Sequence, residues 1–275
     1  KISLERLNEI HSQPDEDTDL DDKVTELPED RTIRVEHVTF SYDGAERNYA
    51  LNDVSLEIPE RKVTAIVGES GCGKTTLIKL LQGFYQPNHG SIMVGNVPLA
   101  SINPHFWRSV TGSVMQESFI FSDTFAHNIA LDSDSLDETR LYQAAKMANV
   151  DGFIRTLPLG YHTKIGMEGN GVSQGQRQRL LIARAIYKNP EYIFFDEATN
   201  ALDTTNESEI MHHLYEFYHG RTVVVAAHRL STVKNADQIV VIDQGKVVEV
   251  GNHESLTAKR GAYYNLVKNQ LELGN

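Results

Sequence analysis

The run Val67-Gly68-Glu69-Ser70-Gly71-Cys72-Gly73-Lys74-Thr75-Thr76 carries the plainest chemical instruction in this chain. From Gly68 to Thr75 it fits G-x-x-x-x-G-K-[ST], a pattern that binds phosphate. Gly68, Gly71 and Gly73 let the backbone curl until successive N–H groups face a polyphosphate. In such a loop Lys74 reaches the β- and γ-phosphates, and the Thr75 hydroxyl ligates Mg²⁺. The flanks agree with the loop. Val63–Val67 is short, β-branched and apolar, as a buried strand should be, and Thr76–Leu81 reads as a helix opening directly from the loop. A helix start adds unsatisfied N–H donors and the positive end of its dipole. A glycine-rich turn with a chance lysine would lack both flanks, so a nucleoside triphosphate is the expected ligand.

Two further stretches have the residue types to act on that ligand. Glu191-Tyr192-Ile193-Phe194-Phe195-Asp196-Glu197 is an apolar strand ending in two carboxylates. Such a strand is expected beside the phosphate loop, with Asp196 in the Mg²⁺ shell and Glu197 accepting a proton from an attacking water. The bland alternative is that both carboxylates merely cap the strand end. The second stretch is Gly171-Val172-Ser173-Gln174-Gly175-Gln176-Arg177, where Ser173 and Gln176 satisfy a capping box. Those residues suit an ordinary helix start, and they equally suit a helix tip that approaches a phosphate closely.

The surrounding pattern supplies elements to position these groups. From Thr32 the chain reads as strands at 33–40 and 50–58, then 63–67, 91–94 and 113–115. Residues 117 to about 189 read as mostly helical, with segments at 136–145, from Asp151, and from Ser173 to Asn189-Pro190. Strands return at 192–196, 222–226 and 238–242 with helices between and after. That alternation implies an α/β core with a buried parallel sheet and a helical subdomain inserted in it.

Composition narrows the class. With 275 residues and 40% hydrophobic content the chain suits one large or two small domains. No apolar run approaches the roughly 20 residues of a membrane span, and the polar first residues are unlike a signal peptide. The single cysteine, Cys72, excludes an internal disulfide, suits a reducing cytosol, and reads as loop filler rather than nucleophile. Residues 1–30 hold eleven Asp and Glu against three Lys and Arg, so of the net charge of −12 the remainder carries only −4. A mildly acidic body argues against broad nucleic-acid binding. Ile2, Leu4, Leu7 and Ile10 fall near a helical period, and the acidic run Asp15–Asp22 after Pro14 reads as a solvated linker.

Taken in order across residues 32–250, six motifs resemble the nucleotide-binding domain of an ATP-binding-cassette (ABC) transporter. Tyr42 resembles the aromatic that stacks on adenine, and Gly68–Thr75 the Walker A loop. Gln116 is similar to the Q-loop glutamine, which touches Mg²⁺ and the membrane-domain contact. Val172-Ser173-Gln174-Gly175-Gln176 resembles the signature motif, with Gln174 where the family usually has glycine. Asp196 and Glu197 resemble Walker B and its catalytic base, and Ala201-Leu202-Asp203 the D-loop. Ala227-His228-Arg229-Leu230-Ser231-Thr232 is similar to the switch histidine with its exporter-type tail. Glu168, ahead of the signature, resembles the exporter glutamate directed at the membrane domain, although Met167 and Asn170 depart from the pattern.

The resemblance implies a phosphate-loop NTPase core of mostly parallel sheet, an N-terminal antiparallel β subdomain and an inserted helical subdomain at about 117–189. It divides the chain into residues 1–30, the end of a membrane-domain helix plus acidic linker, and residues 31–275, the ATPase. It implies ATP and Mg²⁺ as cofactors. The implied partners are a second copy, bound head to tail, and a transmembrane domain fused upstream of Lys1, at the cytoplasmic face of the inner membrane. Ser173 and Gly175 of one copy would then cover the γ-phosphate held by the other, and Ser173–Gln176 is weakly similar to bacterial peptide or bacteriocin exporters with a processing peptidase. Two rival classes make different demands. A DNA-repair or chromosome-organising ATPase needs a long coiled-coil insertion, and 117–189 is too short and not heptad-like. A non-catalytic regulatory module has no use for Glu197 and His228.

Overall fold

The computed structural model describes residues 20–44, 48–131, 135–166, 171–196, 204–227 and 230–273. Strands β1 (Ile33–Phe40), β2 (Leu51–Ile58), β4 (His89–Val94) and β5 (Val97–Pro98) form one sheet in the order β2-β1-β4-β5, with every pairing antiparallel. This is the expected antiparallel β subdomain.

The second sheet holds β3 (Val63–Val67), β6 (Thr111–Val114), β7 (Tyr192–Asp196), β8 (Thr222–Ala226), β9 (Gln238–Asp243) and β10 (Lys246–Gly251). Its order is β10-β9-β3-β8-β7-β6, parallel except for the β9–β10 hairpin. Two points go beyond the sequence reading. β10 was not anticipated, because Val248 and Val250 are exposed while Glu249 is buried, which inverts the usual alternation of apolar and polar faces. The strand order, which spacing does not state, is the second: β8 stands between β3 and β7, joined to both.

The parallel strands are buried on both faces, and their period of two divides the apolar residues cleanly. Ala65, Val67, Ile193, Phe195, Val223, Val225, Ile239 and Val241 face one core; Ile66, Tyr192, Phe194, Val224, Val240 and Ile242 face the other. The second core also takes α1 (Lys74–Leu81), α2 (Pro104–Val110) through Trp107, and the antiparallel sheet. Each such side chain contributes about 1.5–3 kcal/mol on leaving water.

The helical stretch comprises α3 (Phe125–Ala130), α4 (Glu138–Met147), α5 (Asp151–Thr156) and α6 (Gln174–Lys188). The longest of these has 15 residues, too short for the coiled-coil rival. Ile129, Leu141, Ala145 and Ile182 share one buried cluster with Phe195 and Val225, so these helices close the sheet's first face rather than enclosing a core of their own. Helices α7 (Thr204–Tyr218), α8 (Leu230–Lys234), α9 (His253–Lys259) and α10 (Ala262–Leu273) complete the chain. Among the described residues no helix is long and apolar enough to cross a membrane.

The amphipathic start, most of the acidic run, Glu168, Glu197, Asp203 and His228 lie outside the described residues. Where the N-terminal segment is described, it is attached: Val24 donates to the Ser101 carbonyl at 2.9 Å and accepts from Asn103 at 2.8 Å. The docked strip therefore begins before residue 31, the boundary the sequence suggests.

Candidate nucleotide site

The Gly68–Thr75 loop leaves the C-terminal end of β3 and runs into α1. Gly68 adopts φ 154°, and a Cβ there would strike the Ile242 carbonyl oxygen and sit 2.6 Å from Cys72 Sγ, so only glycine fits. Gly73 is the N-cap of α1 in a left-handed conformation, with no side-chain cap and no acidic residue in the first turn. The donors of that turn therefore suit an anion. Lys74 is 5% exposed, and its Nζ donates to the carbonyls of Gly68 at 2.8 Å and Glu69 at 2.9 Å. The loop thus holds a positive charge against its own backbone. Glu69, Ser70 and Gly71 are exposed, and a Cβ on Gly71 would meet nothing within 4 Å. Cys72 is buried 3.8 Å from Lys74 Nζ, which suits its reading as filler.

Tyr42 follows β1, yet its hydroxyl lies 3.1 Å from Thr76 Oγ1 on α1. Its ring packs edge-on against Phe40 at 5.0 Å and Tyr85 at 5.4 Å while remaining 55% exposed. An anchored, exposed ring beside a phosphate loop has the geometry to stack on a base.

Sheet register gathers the other groups. Ile66 pairs with Ala226, Ala226 with Asp196, and Phe195 with Val114. The C-terminal ends of β3, β8, β7 and β6 therefore share one edge, the place where open α/β sheets bind ligands. Asp196 sits there 2% exposed, and Gln116 emerges two residues beyond β6. Glu197 and His228 follow β7 and β8 by one and two residues. A half-buried Thr75 hydroxyl, a buried carboxylate and an amide oxygen are hard donors, the set that Mg²⁺ favours.

Residues that the sequence did not mark hold the Gln116 loop. Gln82, the C-cap of α1, donates to the Met115 sulfur at 3.1 Å, and Lys79 lies 3.6 Å from Glu117. Arg184 on α6 donates to the carbonyls of Phe119 at 2.9 Å and Asn128 at 2.8 Å, and burial pushes its guanidinium down to about 10. Onward, Ile165 donates to the Asp123 carbonyl at 2.8 Å, which ties the end of this loop to the approach to Ser173. Partners so distant in sequence leave no spacing to read.

Ser173 and Gln176 do form the capping box: Ser173 Oγ accepts from the Gln176 N–H at 3.2 Å and Gln176 Oε1 from the Ser173 N–H at 2.8 Å. Ser173 and Gln174 are exposed. This helix tip rides on α6, which packs against α3, α4 and β6.

A family profile described as "ABC transporter" matches residues 51–200. The chain is 44% identical over 238 residues to an ATP-dependent lipid A-core flippase of Saccharophagus degradans, covering 86% of this chain and 40% of that protein. It is 42% identical over 272 residues to a Toxin RTX-III translocation ATP-binding protein of Actinobacillus pleuropneumoniae, covering 98% of this chain and 38% of that protein. The structure of a bacterial Atm1-family ABC exporter with ATP bound matches with TM-score 0.90 and 34% identity, over 98% of this chain and 47% of the exporter chain. The chain thus spans about two fifths of the curated relatives it matches. The profile covers more than half of the sequence and lies over the loop and the ends of β3, β6 and β7, so this chain belongs to the ABC transporter family and is an ATP-binding domain of it.

Proposed function

We propose that this domain hydrolyses ATP to power export across a membrane, working as a head-to-tail pair with a second copy and attached to a transmembrane domain upstream of Lys1. The observation that carries the reading is the shared edge on which β3 gives the phosphate loop, β7 gives Asp196 and β6 leads to Gln116. The exposed tip at Ser173 supports the pairing, because an exposed helix start offers first-turn donors to a phosphate held by another copy. Relatives that move a lipid and a protein toxin share this domain, which supports assigning cargo choice to the membrane part.

In this reading Lys74 and the loop N–H groups hold the β- and γ-phosphates, and Tyr42 stacks on the adenine. Thr75, Asp196 and Gln116 hold Mg²⁺, which supplies charge neutralisation when bound. Glu197 takes the proton of the attacking water, and His228 holds the γ-phosphate. Ser173 and Gly175 of the partner copy close over it, excluding water and strengthening each charge contact. Loss of the γ-phosphate weakens that bridge, and the opening motion passes to the membrane domain through the Gln116 loop and the helices of 117–189.

The test is Glu197→Gln. Its ATP affinity should stay within about twofold while turnover falls on the order of a hundredfold, the scale of a lost general base. Near-normal turnover would remove Glu197 from that role, and DNA-stimulated turnover in the unaltered chain would point to the chromosome-organising class instead.

A further inference from the structure

The phosphate loop must turn its N–H groups inward, so its carbonyls turn outward and need donors behind the loop. One such donor comes from 173 residues away: the Gly245 N–H, in the β9–β10 turn, donates to the Cys72 carbonyl at 2.9 Å. The Gly245 carbonyl in turn accepts from the Asn52 N–H at 2.8 Å, at the start of β2. Both backbone groups of Gly245 thus serve segments outside its own hairpin. Space is as tight as the hydrogen bonding. A Cβ on Gly245 would sit 2.8 Å from the Ala50 carbonyl oxygen, and a Cβ on Gly73 would sit 2.7 Å from the same oxygen. The Ala50–Leu51 backbone is wedged between the loop and the turn, and Ala50 is itself fixed by its N–H to the Phe40 carbonyl at 2.8 Å.

We propose that Gly245 is a positioning residue for the phosphate loop, holding Cys72 and, through Ala50, Gly73 in the conformation that receives a triphosphate. The inference rests on the reading of that loop as the ATP site. A side chain at 245 would push the Ala50 backbone toward Gly73, where no slack exists, and would draw the Cys72 carbonyl away from its donor. The preorganised donors would then have to be re-formed on each binding event, at the expense of affinity.

The fold supplies a matched control. Gly245 has φ 75° and Gly220 has φ 76°, but a Cβ on Gly220 meets nothing within 4 Å. Alanine at either position carries the same backbone strain, and only at 245 does it press on the loop's support. ATP affinity by calorimetry and melting temperature without nucleotide are measured for the full chain, G245A and G220A. G245A should raise the dissociation constant for ATP at least tenfold while G220A stays within twofold, with both melting below the unaltered chain. ATP affinity within twofold in G245A, or an equal loss in G220A, would overturn the proposal. Failure of the unaltered chain to bind ATP would instead overturn the reading of the loop. Should G245A not fold, Asn52→Pro, which removes the donor to the Gly245 carbonyl and also constrains Leu51 within the same wedge, faces the same criterion.

Discussion

The Tyr42 hydroxyl lies 3.1 Å from Thr76 Oγ1, so the ring that follows the antiparallel sheet is tied to the first turn of the helix that opens from the phosphate loop. The ring proposed to stack on the base and the segment proposed to hold the phosphates are thereby held at fixed separation. Removing the hydroxyl with Tyr42→Phe should weaken ATP about fivefold, the equivalent of roughly 1 kcal/mol for one hydrogen bond. Tyr42→Ala should cost more, about 1–3 kcal/mol, through lost stacking. Neither change should alter binding of inorganic tripolyphosphate. Equal losses for both ligands in a titration would mean that Tyr42 supports the loop and not the base.

Lys74 is buried with its ammonium on the Gly68 and Glu69 carbonyls. A ligand that binds only the folded state at a hundred times its dissociation constant stabilises it by about 2.7 kcal/mol. The unaltered chain should therefore melt several degrees higher with ATP, and Lys74→Ala should abolish that increment at the same ATP concentration. A retained increment in a thermal-shift measurement would place the phosphates elsewhere.

Gln174 is exposed on the first turn of α6, beside the capped Ser173, at the position where the signature motif it resembles usually has glycine. In the proposed pair its side chain would stand in the path of close approach to the partner's nucleotide. Gln174→Gly should tighten ATP-dependent pairing of a hydrolysis-impaired chain by roughly 1 kcal/mol, or fivefold, the scale of one removed side-chain ordering cost. Sedimentation with ATP measures this, and an unchanged pairing constant would retire the idea.

Acid should loosen the helical region through Asp151. Burial pushes this carboxyl up, but hydrogen bonds from the Tyr161 hydroxyl at 2.6 Å and Arg155 at 2.9 Å outweigh it and leave the group below its ordinary value of 3.8. A carboxyl whose folded pKa is depressed stabilises the fold above its unfolded value, and that contribution disappears as pH falls through the folded one. Stability should thus decline below about pH 4, and Asp151→Asn should be less stable at neutral pH with a shallower decline between about pH 5 and pH 2. Parallel acid-unfolding curves from circular dichroism would show that Asp151 contributes no pH dependence.

The loop and the helix tip were legible because their determinants are local. Positive φ at Gly68 and Gly73, an open first turn after Gly73, and the Ser173–Gln176 box each depend on residues within a few positions of one another. Continuous apolar, β-branched runs likewise let the central strands be read, and Thr222–Ala226 was found as readily as the loop strand. What those patterns lack is any statement of which strand neighbours which. Strand order came only from hydrogen-bonding register, which inserts β8 between the loop strand β3 and β7. Edge strand β10 exposes Val248 and Val250 and buries Glu249, so its faces run against the pattern a strand is read by.

By itself, then, the sequence determined that a triphosphate is gripped, and by which contiguous residues, because short-range backbone geometry is written in short-range spacing. Tertiary structure alone decided that Tyr42 reaches Thr76, that Gln82 and Arg184 hold the Gln116 loop, and that Gly245 and Ala50 back the loop itself. Those contacts join groups from dozens to more than a hundred residues apart, and most of them run through backbone atoms that every residue type possesses. No side-chain pattern encodes them until the sheets have paired.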